Sequence, residues 1–229
     1  MSRRSFSNSL LKNLSISHKI SDKGLAPWFR WESENCSFGL CYRLFGFYPK
    51  FLPLFINSDH AVHWESKIWP NEKVVTPFLT WNYQKFLNFK KLKIDTYYVK
   101  HPWIFYKKKI KKFSLKKGTI VFFPHSNEAT KPSFDNIDNY FKSLKSLPEK
   151  YKPISIMLYH NDISNGLHIK LRKYGFDIVT AGHTNSVNFV KRFYDLISLF
   201  KYATAPMSET SIPSCLFYCV DFGLSFFFF

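Results

Sequence analysis

The run TIVFF at residues 119–123 opens the part of the chain that decides the fold. Its β-branched and aromatic residues, followed at once by Pro124, predict a buried strand. Similar apolar runs follow along the chain: ISIMLYH (154–160), FDIVTAG (176–182), YATAPM (202–207) and LSFFFF (224–229). The stretches between them have helical character, with apolar residues three and four positions apart or with a Pro start and a Gly stop. They are FDNIDNYFKSLKSL (134–147), LHIKLRKYG (167–175), VNFVKRFYDLISLF (187–200) and PSCLFYCVDFG (213–223).

This alternation of strands and helices predicts a parallel sheet. A strand, a helix and a second strand in the same direction form a right-handed βαβ unit, and short loops favour that arrangement. Antiparallel hairpins would need no helices between their strands. The fold predicted for residues 118–229 is therefore α/β, with a Rossmann-like parallel sheet and helices on both faces.

The N-terminal part is less regular and predicts a separate domain. Strands are predicted at 50–56 (KFLPLFI) and at 96–99. The lysine-rich segment KKKIKKFSLKKG (107–118) has the composition of a solvated linker. We predict an N-terminal domain over residues 1–110 with an irregular start, a basic linker over 107–117 and a Rossmann-like domain over 118–229.

The chain ends inside its last apolar run, at the four phenylalanines of residues 226–229. No helix follows the predicted fifth strand, whereas a parallel sheet normally has both faces covered. A homopolymer tract is also a place where reading errors concentrate. We expect the second domain to be incomplete and the chain to be truncated at its C-terminus, with a genuine terminus as the alternative.

The net charge of +17, from 33 basic and 16 acidic residues, has two explanations. One is attraction to nucleic acid or to an anionic membrane. The other is codon composition, because Lys, Phe, Asn, Ile and Tyr are all plentiful and are all encoded by A/T-rich codons. A nucleic-acid-binding protein that uses residues 107–117 is therefore an alternative function. The scarcity of Arg disfavours it, because Arg dominates base recognition.

The cysteines and the apolar runs narrow the class of protein further. The cysteines, Cys36, Cys41, Cys215 and Cys219, lack the two-residue spacing of a zinc knuckle. We therefore predict no metal and no cofactor. The N-terminus has no apolar stretch of secretory length, and no run reaches the roughly 20 residues that span a bilayer. A cytoplasmic location is predicted.

Polar side chains follow each of the first four predicted strands. In an open parallel sheet, ligands bind outside the carboxyl ends of the strands, so these loops are expected to form one binding edge. The candidate binding residues are His125, Ser126 and Asn127; His160 and Asp162; Gly182, His183 and Thr184; and Ser208, Glu209, Thr210 and Ser211.

The third and fourth of these loops lead into helix N-termini, which favour phosphate. The hydroxyls of Ser208, Thr210 and Ser211 can donate to a diphosphate. Ser211 also fits a simple helix cap, with Pro213 just inside the helix. The chain has neither GxGxxG nor GxxxxGK[ST], so neither common nucleotide-binding motif is present.

A second candidate cluster lies in the N-terminal part, where Asp59, His60 and His63 follow a predicted strand. A carboxylate beside a histidine can orient the ring, so the cluster fits a general base. The same residues also fit an ordinary polar loop.

Several of these segments together resemble a known family. GTIVFFPHSN (118–127), ISIMLYHND (154–162), GFDIVTAGHT (175–184) and the stretch from Phe189 onward are similar to the C-terminal domain of GT-B-type bacterial glycosyltransferases that build surface polysaccharides. The segment NSDHAVHW (57–64) is similar to a loop that often carries a histidine in such enzymes. The resemblance covers about residues 50–229 and lacks the residues that would follow the fifth strand.

The resemblance implies a fold and a function. It implies two Rossmann-like domains, with a nucleotide-sugar held mostly by the second, and transfer of the sugar to a cell-surface polysaccharide or a lipid-linked acceptor. The loops would stabilise the leaving diphosphate and His60 or His63 would take the acceptor proton, without a metal. Lipid-linked acceptors imply peripheral contact with an anionic membrane at the inner face of the cell membrane. An inactive truncated fragment of such an enzyme is the alternative.

Overall fold

The computed structural model describes residues 5–16, 56–59, 66–68, 77–107, 116–126, 137–184, 186, 188–206 and 212–227. The chain divides into two compact units. One contains Met1–Ser17, Lys111–His183 and Lys191–Phe229, and the other contains His18–Ile110 and Thr184–Val190. We call them the larger unit and the smaller unit.

The first helix, α1 (Asn8–Leu14), belongs to the larger unit. Ser7 caps it by accepting a hydrogen bond from the Leu10 N–H at 3.2 Å. Leu11 is fully buried in the core of the larger unit. The predicted division placed residues 1–110 in one domain, and the structure differs there because the buried side chain of Leu11 holds the N-terminus on the larger unit.

The smaller unit contains a three-stranded parallel sheet. Its strands are β1 (Asn57–Ser58), β2 (Phe78–Thr80) and β3 (Thr96–Tyr98), in the order β1-β2-β3. Helix α2 (Tyr83–Lys91) connects β2 to β3, and α3 (Trp103–Lys107) follows β3. The strand predicted at 96–99 is confirmed, whereas nearly all of the one predicted at 50–56 lies outside the described residues.

The larger unit contains a five-stranded parallel sheet. Its strands are β4 (Thr119–Phe122), β5 (Ile154–Met157), β6 (Asp177–Val179), β7 (Tyr202–Thr204) and β8 (Ser225–Phe226). Their order is β6-β5-β4-β7-β8, and every neighbouring pair is parallel. The predicted α/β fold with a parallel sheet is confirmed, because each predicted apolar run pairs in this one sheet.

Helices cover both faces of the five-stranded sheet. They are α4 (Ile137–Ser146), α5 (His160–Ser164), α6 (Leu167–Arg172), α7 (Phe189–Ile197) and α8 (Ile212–Phe222), with a 3₁₀ turn at Glu149–Tyr151. One core cluster joins the strands, through Val121 and Ile156, to α1, α4 and α6, which contribute Leu11, Phe141 and Leu171. On the other face, Phe122 packs against Phe193 of α7, with ring centroids 6.0 Å apart.

Helix α5 is the main departure from the prediction within the larger unit. Residues 160–162 were expected in a loop, but they form its first turn.

None of the helices in the described parts of the chain combines the length and the apolarity required to cross a bilayer.

Candidate functional site

A hydrogen-bonded pair joins the carboxyl ends of β4 and β5. Asp162, in the first turn of α5, is 3% exposed. Its Oδ1 accepts the Ser126 hydroxyl at 2.6 Å and the Ser126 backbone N–H at 3.2 Å. Burial raises the pKa of Asp162, and the bonds from Ser126 and the nearby His125 oppose that rise. Ser126 and Asp162, which were predicted from separate loops, therefore form one hydrogen-bonded pair.

Four aromatic rings form a continuous row across the carboxyl ends of β4, β5 and β6. The centroid of His125 lies 4.8 Å from that of Tyr159, Tyr159 lies 4.1 Å from His160, and His160 lies 3.9 Å from His183. We call these residues the ring row. Three of its four members were predicted as site residues.

Burial lowers the pKa of two histidines of the ring row, His125 and His160. Desolvation is the main cause that lowers the pKa of His160 to about 3, helped by repulsion from His183 and His125. Desolvation also lowers the pKa of His125, although the Asp162 carboxylate opposes it. At neutral pH both rings are neutral, so each can donate one hydrogen bond and accept another.

The end of β6 makes a close contact with two other parts of the larger unit. Gly182 has φ +87°, and a Cβ there would lie 2.6 Å from the Leu14 carbonyl oxygen and 2.8 Å from Arg192 Nη2. The His183 N–H donates to the same Leu14 oxygen at 2.8 Å, and Arg192 Nε donates to the Ala181 carbonyl at 2.7 Å. A glycine is therefore required where α1 and α7 approach this edge.

Three polar atoms near these strand ends lack a hydrogen-bond partner in the described structure. They are His125 Nδ1, Asp162 Oδ2 and Arg192 Nη2, and all three are buried. Burial also lowers the pKa of the Arg192 guanidinium, which remains protonated at neutral pH. Buried polar atoms are normally bonded, so partners from a ligand would satisfy an unmet requirement.

The strand order identifies where a ligand crevice forms in such a sheet. Chain connections run outward in one direction through β5 and β6 and in the other through β7 and β8. The order therefore reverses between β4 and β7, and ligands of open α/β sheets bind outside the carboxyl ends at that point. His125 and Ser126 follow β4 and therefore lie on one side of this reversal.

The structure brings together the residues predicted after the first three strands of this sheet, as far as it describes them. Ser126, His160 and Asp162 are buried, and His125 and His183 are half-buried. Thr184 is also buried but groups with the smaller unit. Asn127 and the predicted residues after the fourth strand, Ser208, Glu209, Thr210 and Ser211, lie outside the described residues.

In the smaller unit, Asp59 follows β1 and is 2% exposed. Its Oδ1 pairs with Lys85 Nζ at 2.8 Å, and its Oδ2 accepts the Thr80 hydroxyl and, at 3.2 Å, the Trp81 N–H. Both oxygens are therefore engaged in an internal network, which is compatible with a structural role for this carboxylate. His60 and His63 lie outside the described residues.

Two residues of the larger-unit edge were missed from the sequence. Tyr159 was assigned to a strand, yet it joins two histidines of the ring row. Arg192 was assigned to a helix, and its position in the helix carries no sign of its contact with the end of β6.

Within the described residues, no group of three His, Cys, Asp or Glu side chains has the geometry to hold a metal ion.

The chain was compared with protein-family models, with curated protein sequences and with solved structures, and none of the three comparisons finds a match.

Proposed function

We propose that the larger unit binds a nucleotide-sugar at the carboxyl edge of its five-stranded sheet, and that the chain is a glycosyltransferase. Its acceptor would be a cell-surface polysaccharide or a lipid-linked glycan, and His60 or His63 would take the acceptor proton. The main support is a pair of buried polar atoms without partners at this edge: His125 Nδ1 follows β4, beside the reversal of strand order, and Asp162 Oδ2 follows the neighbouring strand β5. The resemblance described above supplies the class of ligand.

The chemistry of these atoms suggests how a nucleotide-sugar would be divided among them. The Oδ2 of Asp162 is an acceptor, so it suits a sugar or ribose hydroxyl and not a phosphate oxygen. Arg192 carries a positive charge and has a buried Nη2 without a partner, so it suits the diphosphate. The neutral imidazoles of His125 and His160 would offer hydrogen-bonding nitrogens to the remaining, uncharged part of the ligand.

Isothermal titration of the full chain with UDP-, GDP- and CMP-sugars tests the proposal. We expect one of these classes to bind. Arg192→Met removes the charge assigned to the diphosphate, so affinity should fall on the order of 10-fold or more, as for loss of a charge-assisted hydrogen bond. Lys191→Met is the matched control, because Lys191 lies on the same helix and forms an exposed pair with Asp195 at 2.6 Å. That variant should bind as the unchanged chain does.

A folded chain that binds none of the three classes would refute the proposed function. Equal losses for Arg192→Met and Lys191→Met would refute the role of Arg192, because they would reflect the overall charge.

A further inference from the structure

Five side chains on α2 and β3 form one connected surface in the smaller unit. The ring of Tyr83 lies 5.4 Å from that of Tyr98 and 6.2 Å from that of Phe86, and Phe86 lies 6.1 Å from Tyr98. The Nζ of Lys90 lies 5.5 Å from the centroid of Phe86 and 5.9 Å from that of Tyr97. We call Tyr83, Phe86, Lys90, Tyr97 and Tyr98 the tyrosine patch.

The tyrosine patch is accessible to solvent. Tyr83 is 58% exposed, and Tyr97 and Tyr98 are each 54% exposed. Isolated exposed apolar residues are normal on a protein surface, but several in contact with one another commonly mark a site of interaction. The tyrosine patch is therefore a candidate interaction surface.

The charges around the patch restrict the choice of partner. Lys90 contacts the patch, and exposed lysines at positions 91, 93 and 100 are close to it in sequence. Between positions 77 and 107 the one acidic residue is Asp95, which is also exposed. Lys85 is not available because it is buried against Asp59. The surface is thus both aromatic and cationic, which matches an anionic partner.

Residue type separates the candidate partners. Protein interfaces are enriched in Tyr but depleted of Lys, so a protein partner would explain the tyrosines of the patch but not its lysines. Single-stranded nucleic acid binds by stacking its bases on the faces of aromatic rings, and the edge contact between Tyr83 and Tyr98 covers part of one such face. At a membrane interface, tyrosine rings lie at the headgroup level and lysines attract anionic lipid, which explains both features.

We propose that the tyrosine patch docks the protein on the surface of an anionic phospholipid bilayer. The rings enter the headgroup layer, and Lys90, Lys91, Lys93 and Lys100 meet the lipid phosphates. The biological meaning of this contact rests on the proposed function, because lipid-linked acceptors lie at such a surface.

Sedimentation of the full chain with vesicles tests the proposal. Vesicles of phosphatidylcholine are compared with vesicles of equal parts phosphatidylcholine and phosphatidylglycerol. We expect binding to the anionic vesicles, weakening as salt shortens the screening length. Each lysine near the surface is worth roughly fivefold in the partition coefficient, so Lys90→Glu with Lys93→Glu should lower it by on the order of 20-fold or more.

The matched control reverses two exposed lysines of the larger unit, Lys142→Glu with Lys170→Glu, and should bind nearly as well as the unchanged chain. Tyr97→Ser with Tyr98→Ser should weaken binding even in high salt, because it removes apolar contact. Thermal unfolding of each variant checks that it is folded.

Three results would overturn the proposal. They are the absence of vesicle binding, equal losses in the patch and control variants, and patch-dependent binding of a single-stranded oligonucleotide in place of vesicles. No nucleotide-sugar enters the experiment, so this proposal and the proposed function can fail separately.

Discussion

Ser126 donates both its hydroxyl and its backbone N–H to Oδ1 of Asp162, and so ties the segment after β4 to the first turn of α5. The two residues are 36 positions apart and follow neighbouring strands. The pair fixes the positions of His125 and of the helix that carries His160. It therefore holds the proposed site together even before a ligand binds.

Removal of the Ser126 hydroxyl should lower the free energy of unfolding. Hydrogen bonds to charged groups contribute about 1.5–3 kcal/mol, and the Ser126→Ala variant loses one of the two that reach Oδ1. We expect the free energy of unfolding in urea to fall by about 1–2 kcal/mol, since the backbone bond remains. Ser146→Ala serves as the control, because that hydroxyl is exposed and bonds to the Ser143 carbonyl of its own helix. Equal stability of Ser126→Ala and the unchanged chain would contradict the assigned role.

Gly182→Ala should be far more damaging than the same change at Gly175. Both glycines have positive φ, +87° and +79°, so both variants bear the backbone strain of about 1–2 kcal/mol. A Cβ at Gly175 meets nothing within 4 Å, whereas one at Gly182 meets the Leu14 carbonyl and Arg192. Urea denaturation should show a larger loss for Gly182→Ala, and nucleotide-sugar affinity should fall only for that variant. Equal losses of stability at the two positions would show that the close approach has no energetic weight.

Acid should destabilise the larger unit through its buried histidines. The pKa of His160 is about 3 in the folded chain, below the ordinary value of about 6.5. The unfolded chain therefore binds the additional proton between those two values, and stability falls as the pH falls from 6.5 toward 3. This one group contributes a slope of up to about 1.4 kcal/mol per pH unit.

The His160→Gln variant tests that slope. Its free energy of unfolding should depend less on pH across that window, whatever its absolute stability. His101, buried in the smaller unit with a pKa lowered to about 3 by desolvation, should keep its own contribution in this variant. A slope that does not change on replacing His160 would contradict the assignment of a neutral, buried ring.

The buried pair of Lys85 and Asp59 should be costly to break and cheaper to remove. Lys85→Met leaves the Asp59 carboxylate buried without its cation, which typically costs about 3–5 kcal/mol. The double variant Lys85→Met with Asp59→Leu removes both charges and should recover part of that loss. Denaturant unfolding of the two single variants and the double variant measures the coupling. A double variant that is less stable than either single variant would contradict this expectation, because it would show no favourable coupling between the two charges.

The strands of the larger unit were predictable because their residues satisfy one simple requirement. Val121 and Ile156 lie in strands that are buried at every position, so each strand reads as a mostly apolar run. The positions of His125, Asp162 and His183 followed from the rule that strand ends share one edge of the sheet. Pattern alone was sufficient for these.

The remaining features depend on contacts between distant parts of the chain. Helix α5 has only five residues and no side-chain cap, so its sequence shows no helical period. The attachment of α1 depends on Leu11 and on the bond from the His183 N–H to Leu14, which join residues far apart in sequence. The position of Arg192 Nη2 beside the end of β6 depends on the absence of a side chain at Gly182. No local pattern encodes such relationships.

Photo-crosslinking locates the nucleotide-sugar that we assign to the carboxyl edge of the five-stranded sheet. A photoreactive analogue of whichever nucleotide-sugar binds is activated on the full chain, and the modified peptides are identified by mass spectrometry. We expect adducts in the segments that contain His125, Asp162 and His183, and we expect excess unmodified ligand to suppress them. Suppressible adducts confined to other segments, or adducts that excess ligand does not suppress, would contradict it.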